Sequence, residues 1–161
     1  MVYNPHLKLG ILGGGQLGQM MIGESIGLGI KPYFLDPNPD CSVSSYTSRL
    51  RVGDFSDFDT VYAFGKDKDV VTVEIEHVNV EALEALEADG VSVHPSSKVL
   101  RIVQDKGLQK QFYMDNNIPT SDFELIESST QITDSKWEIP FVQKMRKGGY
   151  DGKGVQLIKN E

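Results

Sequence analysis

The chain has 161 residues, 39% of them hydrophobic, and a formal net charge of −7 at pH 7. That length suits one domain, or one and part of another, and the acidic balance argues against a nucleic-acid partner, which would need a basic face. The lone cysteine, Cys41, excludes an intrachain disulfide framework and fits a reducing compartment, and no stretch has the length of a membrane span or a signal-peptide core, so a cytoplasmic protein is expected.

Residues 9–12, Leu-Gly-Ile-Leu, read as a short buried strand that runs into Gly13-Gly14-Gly15-Gln16-Leu17-Gly18. This is G-x-G-x-x-G between a strand and a helix. It suits a dinucleotide, or any phosphate docked at a helix N-terminus, more than a tight β–α turn without a ligand. The helix that follows should use Leu17, Met20, Met21, Ile26 and Leu28 as its apolar side, although Gly18, Gly23 and Gly27 lower its propensity. A second strand over 31–35 ends at Asp36, roughly 20 residues past the glycines, where a dinucleotide fold carries an acidic residue. Pro37 to Asp40 then force a turn; Cys41 sits in it with no histidine near in sequence, so no catalytic role is assigned to the thiol.

A short strand is expected over 49–52, a helix over 57–65, and the strongest strand of the chain over 69–76, β-branched and nearly continuous. A helix over 79–89 carries Val80, Leu83 and Leu86 on one side, and a strand over 91–94 is stopped by Pro95. The alternation of strands and helices argues for an α/β fold with an open, mostly parallel, doubly wound sheet. By the period of two, Glu74 and Glu76 would share one side of their strand and face the ligand crevice at its carboxyl end, or else stand there as solvated charges. His77 and His94 are read as partners in local hydrogen bonds, and no metal ligand is assigned because no metal-ligand spacing occurs.

Ser96 and Ser97 can open a helix that carries Val99, Leu100, Ile102 and Val103 as far as residues 104–107; a second helix over 108–115 ends at Asn116-Asn117-Ile118-Pro119. Residues 1–95 are taken as the first domain, 96–119 as a helical connector, and 120–161 as the truncated start of a second domain with about three strands and no helix to cover them. Within the last segment, apolar runs over 139–145 and 155–158 flank Gly148-Gly149-Tyr150-Asp151-Gly152-Lys153-Gly154. The loop 147–154 is longer than the roughly 2–5 residues of an ordinary hairpin connection. Its glycines admit backbone N–H groups close to an anion, Lys144 and Lys153 add positive charge, and Tyr150 adds a hydroxyl. A loop that covers phosphates is the reading set against a plain glycine turn.

Four stretches in this order carry a close resemblance over nearly the whole chain: Gly-Ile-Leu-Gly-Gly-Gly-Gln-Leu-Gly at 10–18, Thr-Val-Glu-Ile-Glu-His-Val at 72–78, Leu-Arg-Ile-Val-Gln-Asp-Lys at 100–106 and Gly-Gly-Tyr-Asp-Gly-Lys-Gly at 148–154. The sequence resembles the 5-(carboxyamino)imidazole ribonucleotide synthetases, the ATPase (carboxylating) subunits of phosphoribosylaminoimidazole carboxylase, in the ATP-grasp superfamily. The resemblance implies a Rossmann-like pre-ATP-grasp domain followed by the beginning of an ATP-grasp domain, with ATP and magnesium as cofactors. It implies phosphorylation of bicarbonate to carboxyphosphate, which carboxylates the exocyclic amine of aminoimidazole ribonucleotide and leaves ADP and phosphate, a step of de novo purine synthesis. A homodimer is implied as well.

By the same resemblance, Lys106, Lys144, Gly149, Tyr150, Asp151, Gly152, Lys153 and Gly154 match the ATP-binding positions. Tyr150 and Lys153 match catalytic positions beside carboxyphosphate, and Gly15, Gln16, Leu17 and Glu76 match the ribonucleotide side. Residues 106 and 153 are lysine where arginine occurs in relatives, which loses bidentate geometry. The family's magnesium ligands would lie beyond residue 161, so residues 1–161 alone are expected to show no turnover. Three other readings remain: a nicotinamide-dependent dehydrogenase, from the glycine box and Asp36; a formate-using ATP-grasp transformylase; and a non-catalytic module that binds a nucleotide or a partner chain.

Overall fold

The computed structural model describes residues 6–133, 137–149 and 152–159. The chain divides into two compact units, Met1–Arg101 and Ile102–Glu161.

The first unit is organised by β1 (Leu9–Leu12), β2 (Tyr33–Asp36), β3 (Leu50–Val52), β4 (Val70–Val73) and β5 (Ser92–His94). They form one sheet in the order β3-β2-β1-β4-β5, and every neighbouring pair is parallel. Side chains alternate along each strand, so the sheet builds two cores. Ile11 and Phe34 are buried with Cys41 and Val43; Leu12 and Leu35, their neighbours in sequence, are buried with Val61, Phe64, Leu83 and Leu86. α1 (Gln16–Gly27) covers the first face through Met21 and Ile22. α2 (Phe58–Gly65) and α3 (Val80–Ala88) cover the second. Each of the latter two helices starts at a side chain that satisfies one of its unpaired amides: Asp57 accepts from Thr60 N at 2.8 Å, and Asn79 from Ala82 N at 2.8 Å. This is the doubly wound α/β fold that the alternation of strands and helices predicts.

Three local expectations are corrected in this unit. α1 does not bury its large apolar residues: Leu17, Met20, Ile26 and Leu28 are exposed and Met21 is half-buried. The helix meets the sheet through Gly18 and Ser25, seven residues apart on one face. A β-carbon at Gly18 would stand 3.1 Å from the Gly13 carbonyl oxygen and 3.4 Å from the Phe34 ring, so the helix approaches the sheet closely at this small residue, with Met21 and Ile22 packed beside it. β4 ends at Val73, which leaves Glu74 and Glu76 beyond the strand, where the period of two no longer relates them. β2 starts two residues later than expected, at Tyr33, and takes in Asp36, which is buried.

α4 (Ser97–Val103) ends before residues 104–107, because Asp105 takes the N-cap position of α5 (Lys106–Asp115) and accepts from Gly107 N at 2.9 Å and Leu108 N at 3.2 Å. In the second unit, β6 (Phe141–Lys144) pairs antiparallel with β7 (Val155–Ile158), Lys144 opposite Val155. Among the described residues these are its two strands, where three were expected. A short helix, α6 (Ser129–Thr133), corrects the helix-free reading of this segment. Its signal is Ser128 followed three residues later by Gln131, whose side-chain oxygen accepts from Glu127 N at 2.6 Å and Ser128 N at 3.2 Å in the manner of a capping box. Among the described residues, no helix is long and apolar enough to cross a membrane.

Candidate functional site

In the first unit, the glycine box lies at the carboxyl ends of β1 and β4, at the point where the strand order reverses; open α/β sheets bind ligands there. Its backbone is braced from beneath. Gly13 N donates to Leu35 O at 2.9 Å, Val43 N donates to Gly14 O at 3.0 Å, and Gly14 N donates to Asp36 Oδ2 at 2.7 Å. Asp36 Oδ1 accepts from Asn38 N at 2.8 Å. Both oxygens of this buried carboxylate therefore hold backbone, and none of that geometry suits a ribose ligand. The Asp36 of the dehydrogenase reading is a structural brace. Cys41 packs against Gly14, and burial, with the Asp36 charge beside it, pushes its thiol above the ordinary pKa. A raised thiol is a poor nucleophile, in keeping with the sequence reading.

The carboxylate that faces this loop is Glu74. A β-carbon on Gly13 would come within 2.6 Å of Glu74 Oε2, and one on Gly15 within 2.8 Å of Oε1. Gly13 also has φ +103°, a backbone that side-chain-bearing residues rarely adopt. Glu74 is half-buried, whereas Glu76, the residue matched to the ribonucleotide, is exposed and stands 3.7 Å from His77 Nε2. Gly15 is the N-cap residue of α1 and gives no side-chain cap, so the first amides of α1 are not capped by it; Gln16 and Leu17 are exposed on the first turn. A carboxylate that can accept from hydroxyls beside a helix N-terminus that can donate to a phosphate is a pairing fit for a phosphorylated sugar. His94 Nε2 lies 3.0 Å from Ser92 Oγ, a local hydrogen bond as expected.

In the second unit, the connection from β6 to β7 spans residues 145–154 and is closed by Met145 N donating to Gly154 O at 2.7 Å. Gly148, Gly152 and Gly154 have φ of +74°, +80° and +70°, so the loop turns through conformations only glycine adopts freely. Lys106 Nζ, half-buried, donates to Gly149 O at 2.9 Å. A β-carbon at Gly149 would stand 2.8 Å from the Lys153 carbonyl oxygen. Lys144 and Lys153 are exposed on the two sides of the loop; Tyr150 and Asp151 lie outside the described residues. Lys106, Lys144 and Arg146 also line a cleft of about 740 Å³ with Phe123, Trp137 and Phe141, the size of a small-molecule site.

Sequence reasoning missed Asp105 and Arg146. Asp105 is 3% exposed, and Arg146 Nε donates to its Oδ1 at 2.6 Å. The legible signal was Asp two residues before Gly at a helix start. Burial pushes the Asp105 carboxyl up, but the bonds from Arg146, Leu108 and Gly107 outweigh it and hold the group below its ordinary value. A depressed carboxyl stabilises the fold above its unfolded pKa and loses that contribution as pH falls through the lower, folded value. Urea midpoints followed by Trp137 fluorescence should therefore differ between wild type and Asp105→Asn by a constant amount at neutral pH. The gap should close only in strong acid, below the ordinary aspartate range. A gap that does not change with pH would remove the ionised carboxylate from the explanation.

Residues 6–104 match the ribonucleotide synthetase preATP-grasp domain, and residues 111–161 match the ATP-grasp domain. The chain is 40% identical over 156 residues to a chloroplastic phosphoribosylaminoimidazole carboxylase of Vigna aconitifolia, covering 95% of this chain and 28% of the relative. It is 36% identical over 155 residues to an N5-carboxyaminoimidazole ribonucleotide synthase of Pseudomonas aeruginosa, covering 95% and 42%. Among solved structures, N5-carboxyaminoimidazole synthetase of Staphylococcus aureus complexed with ADP superposes with a TM-score of 0.89 at 30% identity, covering 97% of this chain and 42% of that one. The Aspergillus clavatus synthase in complex with ADP and 5-aminoimidazole ribonucleotide superposes with a TM-score of 0.82 at 30% identity, covering 96% and 41%. The chain thus spans well under half the length of these relatives.

Proposed function

The chain belongs to the family defined by the ribonucleotide synthetase preATP-grasp domain, and from that premise we propose that the protein carboxylates aminoimidazole ribonucleotide with bicarbonate at the expense of ATP. The observation that carries the reading is the seating of a cation, Lys106, on the carbonyl of Gly149 in a glycine loop that joins two strands. The loop amides and the ammonium groups of Lys106, Lys144 and Lys153 hold the ATP phosphates. Bicarbonate oxygen attacks the γ-phosphorus, the bond to the β-phosphate oxygen breaks, and ADP leaves. Such a transfer asks for positioning and charge neutralisation more than for covalent help. Carboxyphosphate then breaks into phosphate and carbon dioxide, and the exocyclic amine adds to that carbon, losing one proton. Tyr150 and Lys153 stand beside the carboxyphosphate in this reading, and Asp151, Gly152 and Gly154 complete the loop that shields it from water.

The ribonucleotide side is assigned to the amides after Gly15, with Gln16 and Leu17, and to a carboxylate that takes the ribose hydroxyls. The packing of Glu74 on Gly13 and Gly15 favours Glu74 for that role over the exposed Glu76. Magnesium is the ion such chemistry uses to neutralise phosphate charge. Among the described residues no group of three His, Cys, Asp or Glu side chains stands ready to hold one, so no step is assigned to it. A homodimer in a reducing compartment such as the cytoplasm completes the proposal; the free, buried Cys41 thiol suits that setting.

Two measurements test it. ADP should raise the thermal midpoint of the chain, because a ligand that binds only the native state must stabilise it, and NADH at equal concentration should not. The full-length protein should release phosphate from ATP with bicarbonate, and faster with aminoimidazole ribonucleotide. Stabilisation by NADH alone would restore the dehydrogenase reading, and formate replacing bicarbonate would give the transformylase one.

A further inference from the structure

Both ends of the Lys106 residue are tied to the 145–154 connection. Its side chain donates to Gly149 O at 2.9 Å, and its backbone N–H donates to Arg146 O at 2.9 Å. Arg146 is itself tied back, Nε to Asp105 Oδ1 at 2.6 Å, while Lys147 Nζ stands 4.0 Å from Asp105 Oδ2. The same Oδ1 caps α5 through Gly107 N and Leu108 N. Space is reserved for the arrangement: a β-carbon at Gly107 would come within 2.8 Å of Arg146 Nε and 3.1 Å of Asp105 Oδ1.

A cap alone does not ask for a buried charge, since Asn or Ser serves as well at that position. What the charge adds is a hold on Arg146, the second residue of the 145–154 connection. We propose that Asp105 is a positioning residue, which through Arg146 fixes the entrance of the glycine loop to the start of α5 and so keeps Lys106 seated on the Gly149 carbonyl before any ligand arrives. A loop ordered in advance loses less freedom on binding and binds more tightly for it. The nucleotide reading supplies what the loop is ordered for; the latch itself does not depend on it.

The test compares Arg146→Gln with Arg146→Lys in the full chain, by amide hydrogen exchange across 145–154 and by titration with ADP. Half the Arg146 side chain is exposed, so both variants keep the fold. Loss of one bond to a charged group predicts exchange in that loop about tenfold faster for Arg146→Gln, ADP affinity about tenfold weaker, and unchanged exchange in the β1–β5 sheet. Arg146→Lys keeps the cation and should recover most of both. Asp105→Asn keeps the cap acceptor and should resemble Arg146→Gln, with the double variant no worse than either single one. Wild-type exchange and affinity in Arg146→Gln would overturn the proposal, as would equal damage from Lys and Gln, which would make Arg146 a mere filler. Faster loop exchange in Arg146→Gln with a wild-type chain that ignores ADP would sustain the latch and sink the nucleotide reading.

Discussion

Gly13→Ala is expected to cost about 3 kcal/mol of unfolding free energy, from a backbone held in a region L-residues avoid and from a methyl group forced into occupied space. The φ of +103° cannot relax freely, because Gly13 N is bonded to Leu35 O at 2.9 Å and Gly14 N to Asp36 at 2.7 Å. The added carbon would stand 3.0 Å from Glu74 Cβ, so turning the carboxylate away does not clear it. Urea denaturation of the wild type and variant measures the loss. Gly23→Ala is the control: it lies inside α1 with nothing within 4 Å of an added carbon, and it should gain about 1 kcal/mol from helix propensity alone. Equal urea midpoints for Gly13→Ala and wild type would mean that Glu74 does not pack on the loop. The same displacement of Glu74 should weaken ribonucleotide binding in the full-length protein, where Gly23→Ala leaves it intact.

The doubly wound sheet was legible because each strand is a short β-branched or apolar run closed by a glycine, proline or polar turn, and β4 and its neighbours follow that rule. What misled was hydrophobicity used where contact distance decides. α1 carries Leu17, Met20, Ile26 and Leu28, yet the face that meets the sheet is the one with Gly18 and Ser25, since only small residues let the helix approach the Gly13 carbonyl. The carboxylates were misread for a related reason. Extending β4 through Glu76 by its apolar pattern gave Glu74 and Glu76 a common side, but the chain leaves the ladder after Glu74 N bonds Leu12 O, and only Glu74 returns to the glycines. Asp36 matched the acidic position of a dinucleotide fold by its spacing alone; the amides that occupy it come from Asn38 in the following turn and from Gly14 in the glycine box, neither of which spacing encodes. Asp105 and Arg146 lie 41 residues apart, and no local pattern pairs them.

Lys106→Met is the substitution expected to act most strongly on ligand binding, with ADP affinity falling about a hundredfold, or roughly 3 kcal/mol, for a lost charged donor in a half-buried place. Methionine keeps the length of the stem and suits a helix, so α5 should form as before and the urea midpoint should move little. The ammonium alone is removed, and with it the donor to Gly149 O. Lys106→Arg supplies the control, since guanidinium keeps the charge at similar reach although its planar fork cannot reproduce a point donor; affinity should stay within about tenfold of wild type. Raising salt tests the longer-range part of the charge effect, since it screens charges separated by more than a Debye length, about 8 Å at physiological ionic strength, and leaves the direct hydrogen bond largely in place. If Lys106→Met binds ADP as tightly as wild type, the cation seated on the glycine loop serves the loop and not a phosphate.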